Sequence, residues 1–234
     1  MSEAHQFALT LMGRMNEVAQ PGGPLPPGLT PFGVGQGDVM RRLAALEMRT
    51  RQTVRNLVPT LTFDPEDAAY ELGERSMSRG VTLRLIVSPR TLRFHPLLTS
   101  FTPTALIGPV LFRTIIVDEH IAVIAGPDTV DGATTAWLAT SGEFLESAVG
   151  LWHATVAESR PALPDGAEPP LNSRQLSVAR ALCLGRTDAA IARQLGISER
   201  SVARDVAAIC DVTEAHSRSE AILNMLGRGR QSRT

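Results

Sequence analysis

No lysine occurs anywhere in this chain of 234 residues; all 23 basic side chains are arginine. That absence excludes a Walker-type phosphate loop, whose lysine reaches the nucleotide phosphates. It also disfavours a phospho-receiver fold, which needs a lysine beside its acidic pocket. Aromatic residues make up only 4%, with one Tyr and two Trp, so a ligand pocket walled by rings has little to be built from. There are two cysteines, Cys183 and Cys210, without metal-ligand spacing and both at apolar helix positions. Free thiols in a reducing cytoplasm are the expectation. No run approaches the roughly 20 apolar residues that a membrane span needs. The first stretch of chain carries Glu3, His5, Arg14, Asn16 and Glu17 where a signal peptide would be apolar. A soluble, cytoplasmic protein with no metal and no cofactor is expected.

What is present is unevenly spread. Hydrophobic residues make up 43% of the chain, enough for one substantial core and a smaller domain. The net charge of −1 conceals an asymmetry: residues 171–234 hold ten arginines against six acids, and residues 1–170 hold thirteen against eighteen. A basic C-terminal module on an acidic body suits a nucleic-acid partner for the module and a regulatory role for the body.

Residues 171–226 are the most informative stretch, with signals for four short helices. Asn172 followed by Gln175 makes a capping box, with Leu171 and Leu176 placed for a hydrophobic staple. Thr187 precedes an Ala-rich helix, Ser198 opens the next with Glu199 in its first turn, and Ser217 with Glu220 repeats the capping box. Gly185, Gly196 and Gly227 fall just past helix ends, where a left-handed residue is wanted. The middle pair reads as a helix-turn-helix, which lets one helix enter the DNA major groove while another braces it. In the helix after Ser198, Val202, Val206 and Ile209 recur at core spacing, while Arg200, Ala203, Arg204 and Ala207 lie on other faces. Arg200 and Arg204 are expected at DNA, with the Thr187 and Ser201 hydroxyls on phosphates. The plainer alternative is a solvated arginine face.

This stretch resembles the LuxR/GerE-type DNA-binding domain of bacterial transcription regulators. The matching residues are Leu171, Arg174, Gly185, the run from Ala189 to Ala192, the run from Leu195 to Val202, Val206, Ser217, Arg218 and Ala221. The resemblance implies an all-α four-helix head in which Ser201 holds a phosphate and Ala203, Arg204 and Ala207 face the bases. Ser198 and Arg218 complete the expected DNA set. The chain departs from the pattern at Ala203, where the family is usually basic, and at Asp205, where it is usually basic or His. Cys210-Asp211-Val212 replaces a stretch that often contains Leu and Lys. These changes are expected to remove positive charge from the DNA face and to lower affinity and its salt dependence.

Upstream, residues 3–19 read as an amphipathic helix with Phe7, Leu11, Met12 and Met15 on one side. The Pro- and Gly-rich run 20–37 reads as a flexible linker or an extended arm. A long helix is expected from Asp38 to about Val58, with an arginine face of Arg41, Arg42, Arg49, Arg51 and Arg55, solvated or paired with acids; the alternatives are a basic patch for nucleic acid and a dimer seam between two such helices. Residues 60–158 read as α/β. A helix starts at Asp64-Pro65 and ends near Arg79-Gly80, a strand spans 81–87, and a short helix covers 92–100. A hairpin joins 111–117 to 121–125 around Asp118-Glu119-His120, a strand covers 134–140, and a helix covers 143–158.

This region is similar, more loosely, to the phospholipase-D-like or TrmB-like sensor domain that precedes the helix-turn-helix in LuxR-type regulators of actinobacterial type. The residues behind the likeness are Arg79-Gly80-Val81 with Leu83-Arg84, Ile116-Val117-Asp118 with Ala122, Phe144-Leu145, and the run from Leu151 to Ala154. A phospholipase-D enzyme needs a His and a Lys two residues apart, so that route of hydrolysis is excluded by residue type. His95, His120 and His153 stand apart as structural residues, and Ser88, Ser100 and Ser141 lack a nucleophile-elbow setting. Trp137 and Trp152 read as core.

The expected organisation is a flexible N-terminal arm (1–37), an α/β sensor or dimerisation domain of non-catalytic, phospholipase-D-like type (38–160), a linker (161–170) and a LuxR-type head (171–234). The expected function is sequence-specific binding of double-stranded DNA by a homodimeric, non-enzymatic regulator whose effector is unidentified. The alternative is an interaction protein whose head binds RNA polymerase or another regulator instead of operator DNA.

Overall fold

The computed structural model describes residues 2–20 and 23–229. The chain divides into two compact units that interleave along the sequence. The first comprises Met1–Pro59, Ala68–Ser88 and Leu106–Arg160, and the second Thr60–Asp67, Pro89–Ala105 and Pro161–Thr234.

The first unit is α/β. Its elements are α1 (Glu3–Val18), β1 (Leu29–Val34), α2 (Gln36–Glu47), β2 (Thr53–Val58), α3 (Ala68–Ser78), β3 (Thr82–Val87), β4 (Leu106–Ile107), β5 (Thr114–Val117), β6 (Ile121–Gly126), β7 (Thr135–Ala139) and α6 (Gly142–Ala157). With β8 (Arg160–Pro161) the strands form one eight-stranded sheet of order β1-β7-β6-β5-β2-β3-β4-β8. The strands from β1 to β2 pair antiparallel, whereas β2, β3 and β4 run parallel.

Alternation along β5, β6 and β7 sends Ile116, Ala122, Ile124 and Ala139 to one face. There they pack with Leu11 and Met15 of α1 and with Phe144, Ala148, Leu151 and Trp152 of α6. Ile115, Val123, Ala136 and Leu138 point to the other face, against Val39, Leu43 and Leu46 of α2. A sheet covered on both faces is why these strands read as unbroken apolar runs. Trp152 is core, as expected, and Trp137 packs at its margin.

Two expectations for this region are corrected. The arm 1–37 is not a free tail: α1 buries Ala4, Ala8, Leu11 and Met15, while Met12 is half-buried and Phe7 remains 37% exposed. Within the Pro/Gly-rich run, β1 pairs with β7 at the sheet edge. Pro31 is tolerated because an edge strand has one side with no ladder to complete, and the register shifts between Pro31 and Gly33. The long helix 38–58 is instead α2 followed by β2. Pairing of β2 with β3 on one side and β5 on the other outweighs the helical spacing of Thr50, Val54 and Leu57. The arginine face dissolves accordingly. Arg41 and Arg42 pair with Asp38, whereas Arg55 pairs with Glu119 and lies 5.9 Å over the Trp152 ring.

The hairpin between β5 and β6 turns through Asp118 and Glu119, both left-handed at φ 50° and 59°. The Asp118 carboxylate accepts the backbone N–H groups of Arg51, Gln52 and Thr53, each at 2.8 Å. Burial pushes its pKa up, but the three amides outweigh burial and hold it below the ordinary value.

The second unit contains four helices, α7 (Ser173–Cys183), α8 (Asp188–Leu195), α9 (Glu199–Val212) and α10 (Arg218–Met225). Two short helices from earlier in the chain, α4 (Thr91–Phe94) and α5 (Leu98–Phe101), belong to the same unit. Its core joins Leu171, Val178, Leu182, Ile191, Val202, Ile209 and Met225 to Phe63 and Leu97. Residues 60–67 and 89–105 therefore leave the expected 38–160 block for the head, because Phe63, Leu97 and Phe101 complete its apolar interior. The expected linker 161–170 leads into Leu171, whose amide donates to Ser100 Oγ.

Candidate nucleic-acid interface

The caps that the sequence signals are made. Asn172 and Gln175 complete both arms of the capping box. Thr187 Oγ1 accepts from the Ala190 amide and Ser198 Oγ from the Ser201 amide, at 3.3 and 3.1 Å. Ser217 caps the Glu220 amide, but the Glu220 carboxylate accepts from the His216 amide, so the second box lacks its return bond to Ser217. Gly196 closes α8 at φ 66°, and the chain turns directly into α9.

On α9 the faces separate cleanly. Val202, Asp205 and Ile209 are buried, while Arg200, Ala203, Arg204 and Ala207 are exposed along one stripe. Thr187 and Ser198 are exposed at the starts of α8 and α9, and Ser201, half-buried, shares a 2.9 Å hydrogen bond with Ser198. The Thr187 hydroxyl uses a lone pair on an amide and keeps its O–H to donate, whereas the Ser198 and Ser201 hydroxyls share one O–H between them. Arg218 is half-buried and committed inside the head, paired with Asp188 and donating to the Arg186 carbonyl. Of the eight residues expected at DNA, seven thus lie on the α8 and α9 segment, and Arg218 is held at the start of α10.

Asp205 is not on the exposed face. Its side chain is 1% exposed and accepts two hydrogen bonds from Arg174 of α7, at 2.9 Å from Nε and 3.0 Å from Nη2. The expectation that Asp205 lowers charge on the outer stripe is corrected: the carboxylate is buried and neutralised, and it raises the pKa of Arg174. Arg174 was not among the residues expected at the site. The available signal was an acid at a core position of α9, which demands a cationic partner.

The cysteines are half-buried and unreactive in character. Burial pushes the Cys183 thiol up to about 11, and Cys210 is raised by burial and then by Asp211 and Glu220. His120 and His153 are exposed, whereas His95 is buried. Among the described residues no helix is long and apolar enough to cross a membrane.

Residues 169–225 match the family described as GerE, bacterial regulatory proteins of the luxR family. They are a LuxR-family helix-turn-helix domain. The matched family is one of bacterial regulatory proteins, and the match covers the head alone. Ahead of it stands the mixed α/β unit with its eight-stranded sheet. No curated protein matches the sequence. Among solved structures the chain is similar to NucT from Helicobacter pylori, at 10% identity and TM-score 0.46, covering 57% of this chain and 96% of that one. It is also similar to the archaeal chromatin protein TrmBL2, at 13% identity and TM-score 0.40, covering 65% and 61%. VqmA of Vibrio cholera, solved with ligand and DNA, has 23% identity and TM-score 0.25, covering 53% and 52%.

Proposed function

We propose that this chain is a sequence-specific transcription regulator that reads operator DNA with α9. The observation that carries the reading is the exposed stripe Arg200, Ala203, Arg204 and Ala207, opposite a buried stripe in a LuxR-family head. Ala203 and Ala207 have no bulk to keep the helix from the floor of a major groove. Arg204, and Arg200 one turn earlier, have the reach and the fork of donors to engage guanine edges or phosphates. Thr187, Ser198 and Ser201 cluster at helix starts, where hydroxyls and free amides suit phosphate oxygens. Arg218, tied to Asp188, contributes as a fixed charge near the backbone. A homodimer would read two half-sites whose separation follows the protein's own symmetry. A sensing or dimerisation role is proposed for the α/β unit, and no enzymatic role is assigned to it.

The test is fluorescence anisotropy of the full chain on a duplex selected by that chain, compared with Arg204→Ala. The expected loss of specific affinity is about 1–3 kcal/mol. An unchanged specific affinity would show that Arg204 does not read DNA.

A further inference from the structure

We propose that Arg174, which lies outside α9, is a pre-positioned phosphate contact, and that Asp205 is the residue that positions it. The proposal rests on the DNA-reading role of the head. Asp205 sits on the buried stripe of α9 with its side chain 1% exposed, where an unpaired charge is costly. A buried carboxylate survives only with a partner that satisfies it, and Arg174 supplies Nε–H and one Nη2–H in a parallel fork. The guanidinium is not consumed by this. Its Nη1 donors and the second Nη2 hydrogen point away from the carboxylate, and the side chain remains 49% exposed.

Position matters as much as exposure. Helical side chains lean toward the N-terminus, so the Asp205 carboxylate reaches back toward Ser201, one turn earlier. The guanidinium docked on it therefore stands beside the half of α9 that carries Ser201 and Arg204. Held in this way, Arg174 has little side-chain freedom left to lose on meeting an anion. Its place beside α9, and not on the outer stripe, suits a backbone phosphate better than a base edge.

The experiment measures affinity of the full-length protein for a selected duplex and a random duplex across a salt series. Arg174→Gln is expected to weaken both about ten-fold, to reduce the salt slope by about one, and to leave their ratio unchanged. Asp205→Asn discriminates more sharply. Counting charge alone, removing an acid from the head tightens DNA binding; if Asp205 positions Arg174, binding weakens. Arg174→Lys keeps the charge but loses the fork, so the slope stays and affinity falls. An unchanged slope in Arg174→Gln, binding by Asp205→Asn as tight as or tighter than the parent, or parental affinity in Arg174→Lys each overturns the proposal. If the unsubstituted protein shows no salt-dependent binding to any duplex, the DNA reading of the head fails and this proposal with it.

Discussion

The amide of Leu171 donates to the hydroxyl of Ser100 at 3.1 Å, within the buried interior of the second unit. Leu171 leads into α7, and Ser100 lies in α5, 71 residues earlier. Phe63 and Leu97 share the same core as Leu171. The helical head is thus completed by two segments that the chain contributes long before it reaches the helix-turn-helix.

Ser100→Ala leaves the Leu171 amide buried without an acceptor. Such an orphan costs about 1–3 kcal/mol, so urea unfolding followed by helical ellipticity should shift to lower denaturant. A shift no larger than that of an exposed control such as Ser177→Ala would show that the bond does not matter to the head.

His95 gives the head a pH dependence whose sign can be worked out. Its ring lies 5.8 Å from Phe63 and 5.9 Å from Phe101, it is 5% exposed, and its Nδ1 has no hydrogen-bond partner among the described residues. Burial pushes its pKa down from 6.5 to about 4. Above pH 6.5 both folded and unfolded chains are neutral here and nothing is lost. Between 6.5 and 4 only the unfolded chain takes the proton, so stability falls, by about 3 kcal/mol in full. The difference in unfolding free energy between the parent and His95→Phe, followed from pH 7 to 4, isolates this contribution from the carboxylates. Parallel curves would contradict it.

Asp118 works in the opposite chemical sense, in the first unit. Its carboxylate is satisfied by three amides and its pKa is depressed, so its stabilisation is present above the ordinary carboxylate range and lost as pH falls through the folded value. Asp118→Ala should cost about 2 kcal/mol or more at pH 7. Asp118→Asn, which keeps one acceptor oxygen and tolerates a left-handed backbone, should cost less. Equal losses for the two, measured by thermal melting, would contradict this account of the Asp118 turn.

Gly196 separates backbone strain from packing. Its φ is 66°, and a Cβ added there meets nothing within 4 Å. Gly196→Ala is therefore expected to cost only the left-handed penalty, about 1–2 kcal/mol, and Gly196→Asn less. A loss of folding in Gly196→Ala would mean that the turn between α8 and α9 has no tolerance beyond what the conformation demands.

The head was legible because its signals are local. Asn172, Thr187, Ser198 and Gly196 specify helix ends through their own backbone neighbours, and the spacing of Val202 and Ile209 marks a buried face without knowledge of what covers it. The hairpin around Asp118 and the strands flanking it were legible for the same reason. What escaped depends on partners distant in sequence. Pro31 breaks a helix or strand by local rule, yet lies in an edge strand because β7 is there to pair with it. Val54 and Leu57 carry helical spacing and become a strand because β3 and β5 flank them. Phe63 and Leu97 are ordinary apolar residues until the head supplies their core. Asp205 read as a surface charge because Arg174, 31 residues away, could not be paired with it from spacing alone.

The most direct measurement is footprinting of the full-length protein on the DNA upstream of its own and neighbouring genes, across a salt series. The account predicts a protected site with dyad symmetry, lost steeply as salt rises and lost in Arg204→Ala at protein concentrations that saturate the parent. Diffuse protection with a shallow salt slope, unchanged by Arg204→Ala, would contradict it and turn attention to a protein partner for the same helical head.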